Sequence, residues 1–246
     1  QKADDFAILN RDYPASNESD LFTQGNIFYI SRERETDNAC YVLEDTLVVQ
    51  KNGSVDEVLP IAEIALPGKH NLENVCAAVM AARLADVSTK HIITVLKTFH
   101  GLPHRLELIG EKHGVRFYND SLATIPEATI EALEAFPETE TLIAGGYDRG
   151  ADYTELAKAL VASQVKTLIL FAPAGERMWD AVIAAGGEKH CKKYAVSSMH
   201  EAMTYAVDET SSGKVCLLSP AAPSFGVFTD YKDRGEQFKK EVEKLK

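Results

Sequence analysis

From residue 141 onward the sequence alternates short apolar runs with longer amphipathic ones, and this alternation restricts the fold more than any other feature. The apolar runs are Thr141–Ala144, Thr167–Phe171 and Val215–Leu218, with a weaker one at Lys193–Val196. Helical runs lie around them at Pro126–Phe136, Tyr153–Ser163, Glu176–Ala185, Ser198–Glu209 and Gly235–Lys246. A strand that is apolar along its whole length has to be covered on both faces, which calls for a parallel sheet between helices. The pattern therefore predicts an α/β fold with a mostly parallel sheet and helices on both faces. Ligands of such sheets bind beyond the carboxyl ends of the strands.

Polar stretches follow strand-like runs in that position at Asn119–Thr124, Gly145–Gly150 and Ser219–Phe225. The first begins after two runs with strand character, Arg105–Ile109 and Val115–Tyr118, which turn at His113-Gly114. Two readings stand for Asp120, Ser121 and Thr124. They cap the helix that opens at Pro126, or they face a ligand together with its free N–H groups. Convergence of all these loops on one sheet edge favours a ligand site.

The first hundred residues have a different texture. Strand-like runs occur at Phe6–Leu9, Ile27–Ile30, Tyr41–Leu43 and Leu47–Gln50, with hairpin-type turns at Asp45 and Lys51-Asn52-Gly53. Helical spacing follows at Leu72–Leu84, and a second helix starts at Ser88-Thr89. Asn71 and Asn74 share a face of the first turn, where Asn71 serves as a cap or both amides reach a ligand. The Gly-Leu-Pro-His-Arg joint at 101–105 divides the chain into domains at 1–100 and 101–246.

A net charge of −11 argues against a nucleic-acid or anionic-membrane surface, but leaves room for a local cation. Cys40, Cys76, Cys191 and Cys216 are scattered, so reduced thiols are expected rather than a metal site or disulfides. No run approaches the ~20 apolar residues of a membrane span. Neither G-x-x-x-x-G-K-[ST] nor G-x-G-x-x-G occurs, which excludes a Walker A loop and a dehydrogenase-type fingerprint.

The segments GKHNLEN, GLPHR, NDSLAT, AGGYDRG, LLSPAAPSF and FTDYKDRGEQF occur in this order within residues 67–246. Together they resemble the Mur ligases of peptidoglycan synthesis, and most nearly the glutamate-adding members. The resemblance implies a Rossmann-like, glutamate-binding carboxy-terminal domain at 101–246. The end of a central ATP-binding domain would precede it at 1–100. The implied enzyme is an ATP-dependent acid–amino-acid ligase. It adds glutamate, D-glutamate by expectation, to UDP-N-acetylmuramoyl-L-alanine through an acyl phosphate. Cofactors would be ATP and Mg2+, and the partners small molecules only, for a monomer in the cytoplasm with no nucleic acid or membrane.

By the same resemblance Asn74, His104, Arg105 and Asp120 are the adenine-nucleotide residues, while Thr124, Arg149, Ser224 and Tyr231 hold the incoming glutamate. Catalytic residues, the phosphate loop and the metal ligands are expected upstream of this chain. Leu122 and Arg149 stand where the family commonly has lysines. The first loses a cation, and the second gains a bidentate fork for a carboxylate. A folylpolyglutamate-type ligase, an L-glutamate-adding variant and a non-catalytic nucleotide-binding module are the alternatives. The chain by itself should neither hydrolyse ATP nor form the amide; phosphate release and amide formation by the purified 246 residues, assayed with all substrates, would refute this.

Overall fold

The computed structural model describes residues 1–245, which fold as two units divided between His100 and Gly101. In the first unit β1 (Phe6–Asn10), α1 (Pro14–Asn17), β2 (Asn26–Ser31), β3 (Ala39–Leu43), β4 (Thr46–Lys51) and β5 (Ser54–Pro60) precede α2 (Asn71–Leu84) and α3 (Thr89–Thr98). The strands form one sheet in the order β1-β2-β3-β4-β5, parallel from β1 to β3 and antiparallel from β3 to β5. Asn52 and Gly53 both take positive φ between β4 and β5, as a tight hairpin turn requires. Val75, Cys76, Val79 and Met80 of α2 pack on Phe28, Ile30, Cys40, Leu47 and Val49 of the sheet. β5 was not anticipated, because Asp56 and Glu57 interrupt its apolar residues. At the edge of the sheet those carboxylates reach solvent, and Asp56 pairs with Arg83 at 2.8 Å.

The second unit runs β6 (Glu107–Lys112), β7 (Val115–Asn119), α4 (Pro126–Ala135), β8 (Thr139–Gly145), α5 (Thr154–Ala162), β9 (Thr167–Phe171), α6 (Ala174–Ala184), β10 (Lys192–Val196), α7 (Met199–Glu209), β11 (Val215–Leu218) and α8 (Tyr231–Lys244). Its sheet has the order β10-β9-β8-β11-β7-β6, and only β6 is antiparallel to its neighbour. Alternate residues of each strand enter two cores, as the two-residue period of a strand dictates. Leu142, Leu168 and Leu217 pack under α4, α5 and α6, whereas Ile143, Ile169 and Leu218 pack under α7 and α8. The α/β fold with a mostly parallel sheet covered on both faces is thus realised.

Several boundaries depart from the sequence expectation by a few residues, and two of them bear on the site. β6 begins at Glu107 rather than Arg105, because His104 and Leu106 hold φ of 65° and 46°, which no extended strand accommodates. α8 begins at Tyr231 rather than Gly235, capped by Asp230, whose carboxylate accepts from the Asp233 N–H at 2.8 Å. Its expected last residue, Lys246, lies outside the described residues. No helix among the described residues is long and apolar enough to cross a membrane.

Phe238 of α8 has no exposed surface and sits 6.4 Å, centroid to centroid, from the Phe117 ring of β7. Phe238→Ala should destabilise the second unit by about 3–5 kcal/mol. Denaturant unfolding followed by tryptophan fluorescence or circular dichroism measures the loss; a change below about 1 kcal/mol would contradict this packing.

Candidate functional site

The loops that leave β7, β8 and β11 at their carboxyl ends meet at one edge of the second sheet. Thr124, Arg149, Ser224 and Tyr231, named from the sequence, all line a single cavity of about 140 Å³ there, with Pro223, Phe225 and Asp230. The β8 and β11 loops approach closely: the Tyr147 N–H donates to the Pro223 carbonyl at 2.8 Å. A side chain at Gly146 would overlap that same carbonyl, and its φ of 138° is a backbone state that favours glycine. Arg149 is exposed, with its guanidinium 5.7 Å from the centre of the Phe225 ring. Its neighbours do not neutralise it. Asp148 pairs with Arg177 at 2.7 Å, and Asp152 accepts from the N–H and hydroxyl of Thr154. Among the described residues the Arg149 cation forms no ion pair, and it is available to an anion.

The capping reading of Asp120 and Ser121 is not what the structure adopts. Ile125 occupies the N-cap of α4 without a side-chain bond, and Pro126 supplies the preset first turn. The Asp120 carboxylate turns inward instead. One oxygen accepts from the Leu106 N–H at 3.2 Å and the other from the Ser219 hydroxyl at 2.8 Å. Burial pushes its pKa up to about 7, against the opposing pull of Ser219, the Leu106 N–H and the charges of Arg105 and Arg234. Ser121 donates its hydroxyl to the Tyr231 carbonyl at 2.7 Å, which ties the β7 loop to the start of α8.

His104 is buried. Nδ1 faces the Asn119 amide nitrogen at 3.0 Å, and Nε2 lies 3.6 Å from a Glu236 oxygen. Since that amide nitrogen can only donate, Nδ1 accepts and the proton sits on Nε2, toward Glu236. Burial, with the nearby charge of Lys239, holds the imidazole pKa below its ordinary value. Gly235 makes room for this ring, since a methyl there would overlap it. Arg105 is half-buried and forms no ion pair among the described residues. Asn74 belongs to the first unit. Its amide donates to the Asn71 side-chain Oδ1 at 3.1 Å, and it lines an apolar cavity of about 360 Å³ with Ile64, Leu66, Val75, Ala78, Val95, Leu96 and Phe99. Asn71 does not cap α2; His70 holds that position, and the Asn71 amide bonds back to the Pro67 carbonyl.

Sequence reasoning missed Asp230, Phe225 and, above all, Arg234. Starting the last helix at Gly235 left Arg234 outside any element. A usable signal was present in Asp230-x-x-Asp233, the spacing of a reciprocal helix start, where Asp233 also accepts from the Thr229 N–H at 3.0 Å.

Fold and site together define an α/β protein with a small mixed-charge cavity at the carboxyl edge of a parallel sheet. The description "Mur ligase, glutamate ligase domain" matches residues 104–222. The UDP-N-acetylmuramoylalanine–D-glutamate ligase of Thermoanaerobacter sp. strain X514 is 35% identical over all of this chain and 54% of its own length. Its counterpart from Acidobacterium capsulatum is 38% identical over 97% of this chain and 51% of its own. The MurF ligase of Thermotoga maritima, solved with ADP, shares the fold at a TM-score of 0.66 and 19% identity, covering 99% of this chain and 55% of that one. The second unit thus matches the Mur ligase glutamate-ligase domain over most of its length, and the chain as a whole is similar to these ligases. The chain spans about half the length of the curated relatives it matches.

The raised pKa of Asp120 has a definite sign. Its folded value exceeds the unfolded one, so folding takes up a proton. The favourable contribution is complete below about pH 4 and is lost as pH rises through about 7. Asp120→Asn should therefore flatten the fall in melting temperature between about pH 4 and about pH 8. Thermal unfolding across that range checks it, and a variant with the slope of the parent chain would refute it.

Proposed function

We propose that this chain is the amino-acid-binding portion of an ATP-dependent ligase that joins the amine of glutamate to the terminal carboxyl of UDP-N-acetylmuramoyl-L-alanine. One observation carries the reading: the uncompensated Arg149 cation shares its cavity with Thr124, Ser224 and Tyr231. Glutamate brings two carboxylates. A guanidinium takes one through parallel N–H bonds, and hydroxyls suit the other. Asp230 places an anion on the same wall, which favours a zwitterion over a purely anionic ligand.

The chemistry asked of such a site is positioning. Phosphoryl transfer from ATP turns the acceptor carboxylate into an acyl phosphate. The uncharged glutamate nitrogen attacks its acyl carbon, a C–N bond forms, the C–O bond to phosphate breaks, and the nitrogen gives up a proton. In the second unit the Arg105 fork suits phosphate oxygens, with His104 and Asp120 holding its loop in shape. In the first, Asn74 beside an apolar cavity suits a flat heteroaromatic base, which supports the reading, taken from the resemblance, of this unit as the end of an ATP-binding domain. Among the described residues no cluster of three His, Cys, Asp or Glu is placed to hold a metal ion. Mg2+ is therefore not assigned to these side chains, and no step is routed through it.

The test is Arg149→Ala in the full-length ligase that carries this chain. Loss of a charge-assisted bidentate contact should cost about 2–5 kcal/mol in kcat/KM for glutamate and leave the KM for ATP unchanged. Steady-state kinetics with D- and L-glutamate side by side measure it, with D-glutamate the expected substrate. Retention of the parent kcat/KM would sink the assignment.

A further inference from the structure

We infer that Arg234 is a positioning residue for the amino-acid cavity, holding in register the loops that supply Thr124, Arg149 and Ser224; this rests on reading that cavity as the glutamate site. Arg234 does not line the cavity. Its side chain has no exposed surface and, among the described residues, no carboxylate within ion-pair distance. Burial pushes its pKa down to about 9, with Asp120 opposing, so it remains a cation at neutral pH. A buried guanidinium without a carboxylate is costly, and an apolar side chain of similar volume would fill the space more cheaply. Its partners explain its presence.

Nε donates to the Ser121 hydroxyl at 3.0 Å and Nη2 to the Ser121 carbonyl at 2.8 Å. Nη1 donates to the Ala222 carbonyl at 3.0 Å and reaches the Gly145 carbonyl at 3.4 Å. These acceptors lie in the β7, β11 and β8 loops. Each is a few residues before a cavity residue: Ser121 before Thr124, Ala222 before Ser224, and Gly145 before Arg149. Arg234 itself stands one turn along α8 from Tyr231. A single planar fork thus touches every segment that contributes to the cavity. Five fixed N–H donors allow this; the ammonium of lysine, a point charge on a flexible stem, holds fewer partners in a set geometry.

The experiment is steady-state kinetics of the full-length ligase with Arg234→Met, Arg234→Lys and Ser121→Ala, alongside circular dichroism and melting curves. Arg234→Met should raise the KM for glutamate about ten- to hundredfold, with the KM for ATP unchanged. Arg234→Lys should recover part of that loss, and Ser121→Ala should give a smaller rise. A merely structural role predicts another pattern: lower melting temperature and fewer active molecules, with both KM values unmoved. A folded Arg234→Met enzyme with the parent glutamate KM overturns the inference. If that variant does not fold, Arg234→Lys and Ser121→Ala decide by the same split, and parent KM values in both overturn it. A parent enzyme that does not ligate glutamate overturns the cavity reading and this inference together. One that does, with unaffected variants, overturns this inference alone.

Discussion

Insertion of β11 between β7 and β8 is the constraint on which the second unit depends. Without it, the β7 and β8 loops would be neighbours and the β11 loop would lie elsewhere. With it, all three leave the sheet side by side, pointing the same way because the three strands are parallel. The ladder carries on past the strand ends. The Asp120 N–H donates to the Leu218 carbonyl at 2.7 Å, the Ser219 N–H to Ile143 at 3.2 Å, and the Gly145 N–H to Pro220 at 2.8 Å. The loops are held by backbone bonds before any side chain acts, and that is how residues distant in sequence come to line 140 Å³ of space.

Beneath the cavity lies a buried polar layer, and its cost shapes it. Asp120, Ser121, Ser219, Thr129 and Arg234 are all buried, in surroundings where an unsatisfied group is expensive. Each has partners. Ser219 donates to Asp120, lies 3.0 Å from the Thr129 hydroxyl, and receives Thr129 at its own carbonyl at 3.3 Å. Asp120 and Arg234 influence each other's titration yet form no direct ion pair. Each is solvated by neutral donors or acceptors of the loops themselves. A direct pair would satisfy both ions and leave the loops untied. Splitting them spends both charges on loop geometry.

How much of this was legible in the sequence depends on whether the signal was local. The parallel sheet was readable because strands such as Thr167–Phe171 are apolar on both faces, a property of a single segment. Thr124, Arg149, Ser224 and Tyr231 were reachable because motif likeness marks residues one at a time, and the structure then gathers them. Arg234 was not, since its meaning lies in carbonyls up to 113 positions away, with no local pattern to announce it. The Asp120 and Ser121 side chains misled for the same reason. Acidic and hydroxyl groups before a Pro-headed helix look like caps, and only tertiary partners turned them inward. The last helix was cut short because Gly235 reads as a boundary; its real cause is the His104 ring packed against the helix.

Leu122 shows how one position separates side-chain chemistry from backbone chemistry. The Leu122 side chain offers no cation, and it does not line the cavity. Its backbone is still in use: the Leu122 N–H donates to the His104 carbonyl at 3.0 Å. That bond joins the loop bearing Thr124 to the loop bearing Arg105, and being a backbone bond it does not depend on the side chain at 122. The Arg149 guanidinium lies over the Phe225 ring, 5.7 Å from its centre, and pairs with no carboxylate among the described residues, so its positive charge is not cancelled. One unneutralised fork with bidentate geometry can hold a carboxylate that two flexible ammonium groups would otherwise share. On the proposed reading, carboxylate recognition rests on Arg149, and the Leu122 side chain takes no part in the cavity.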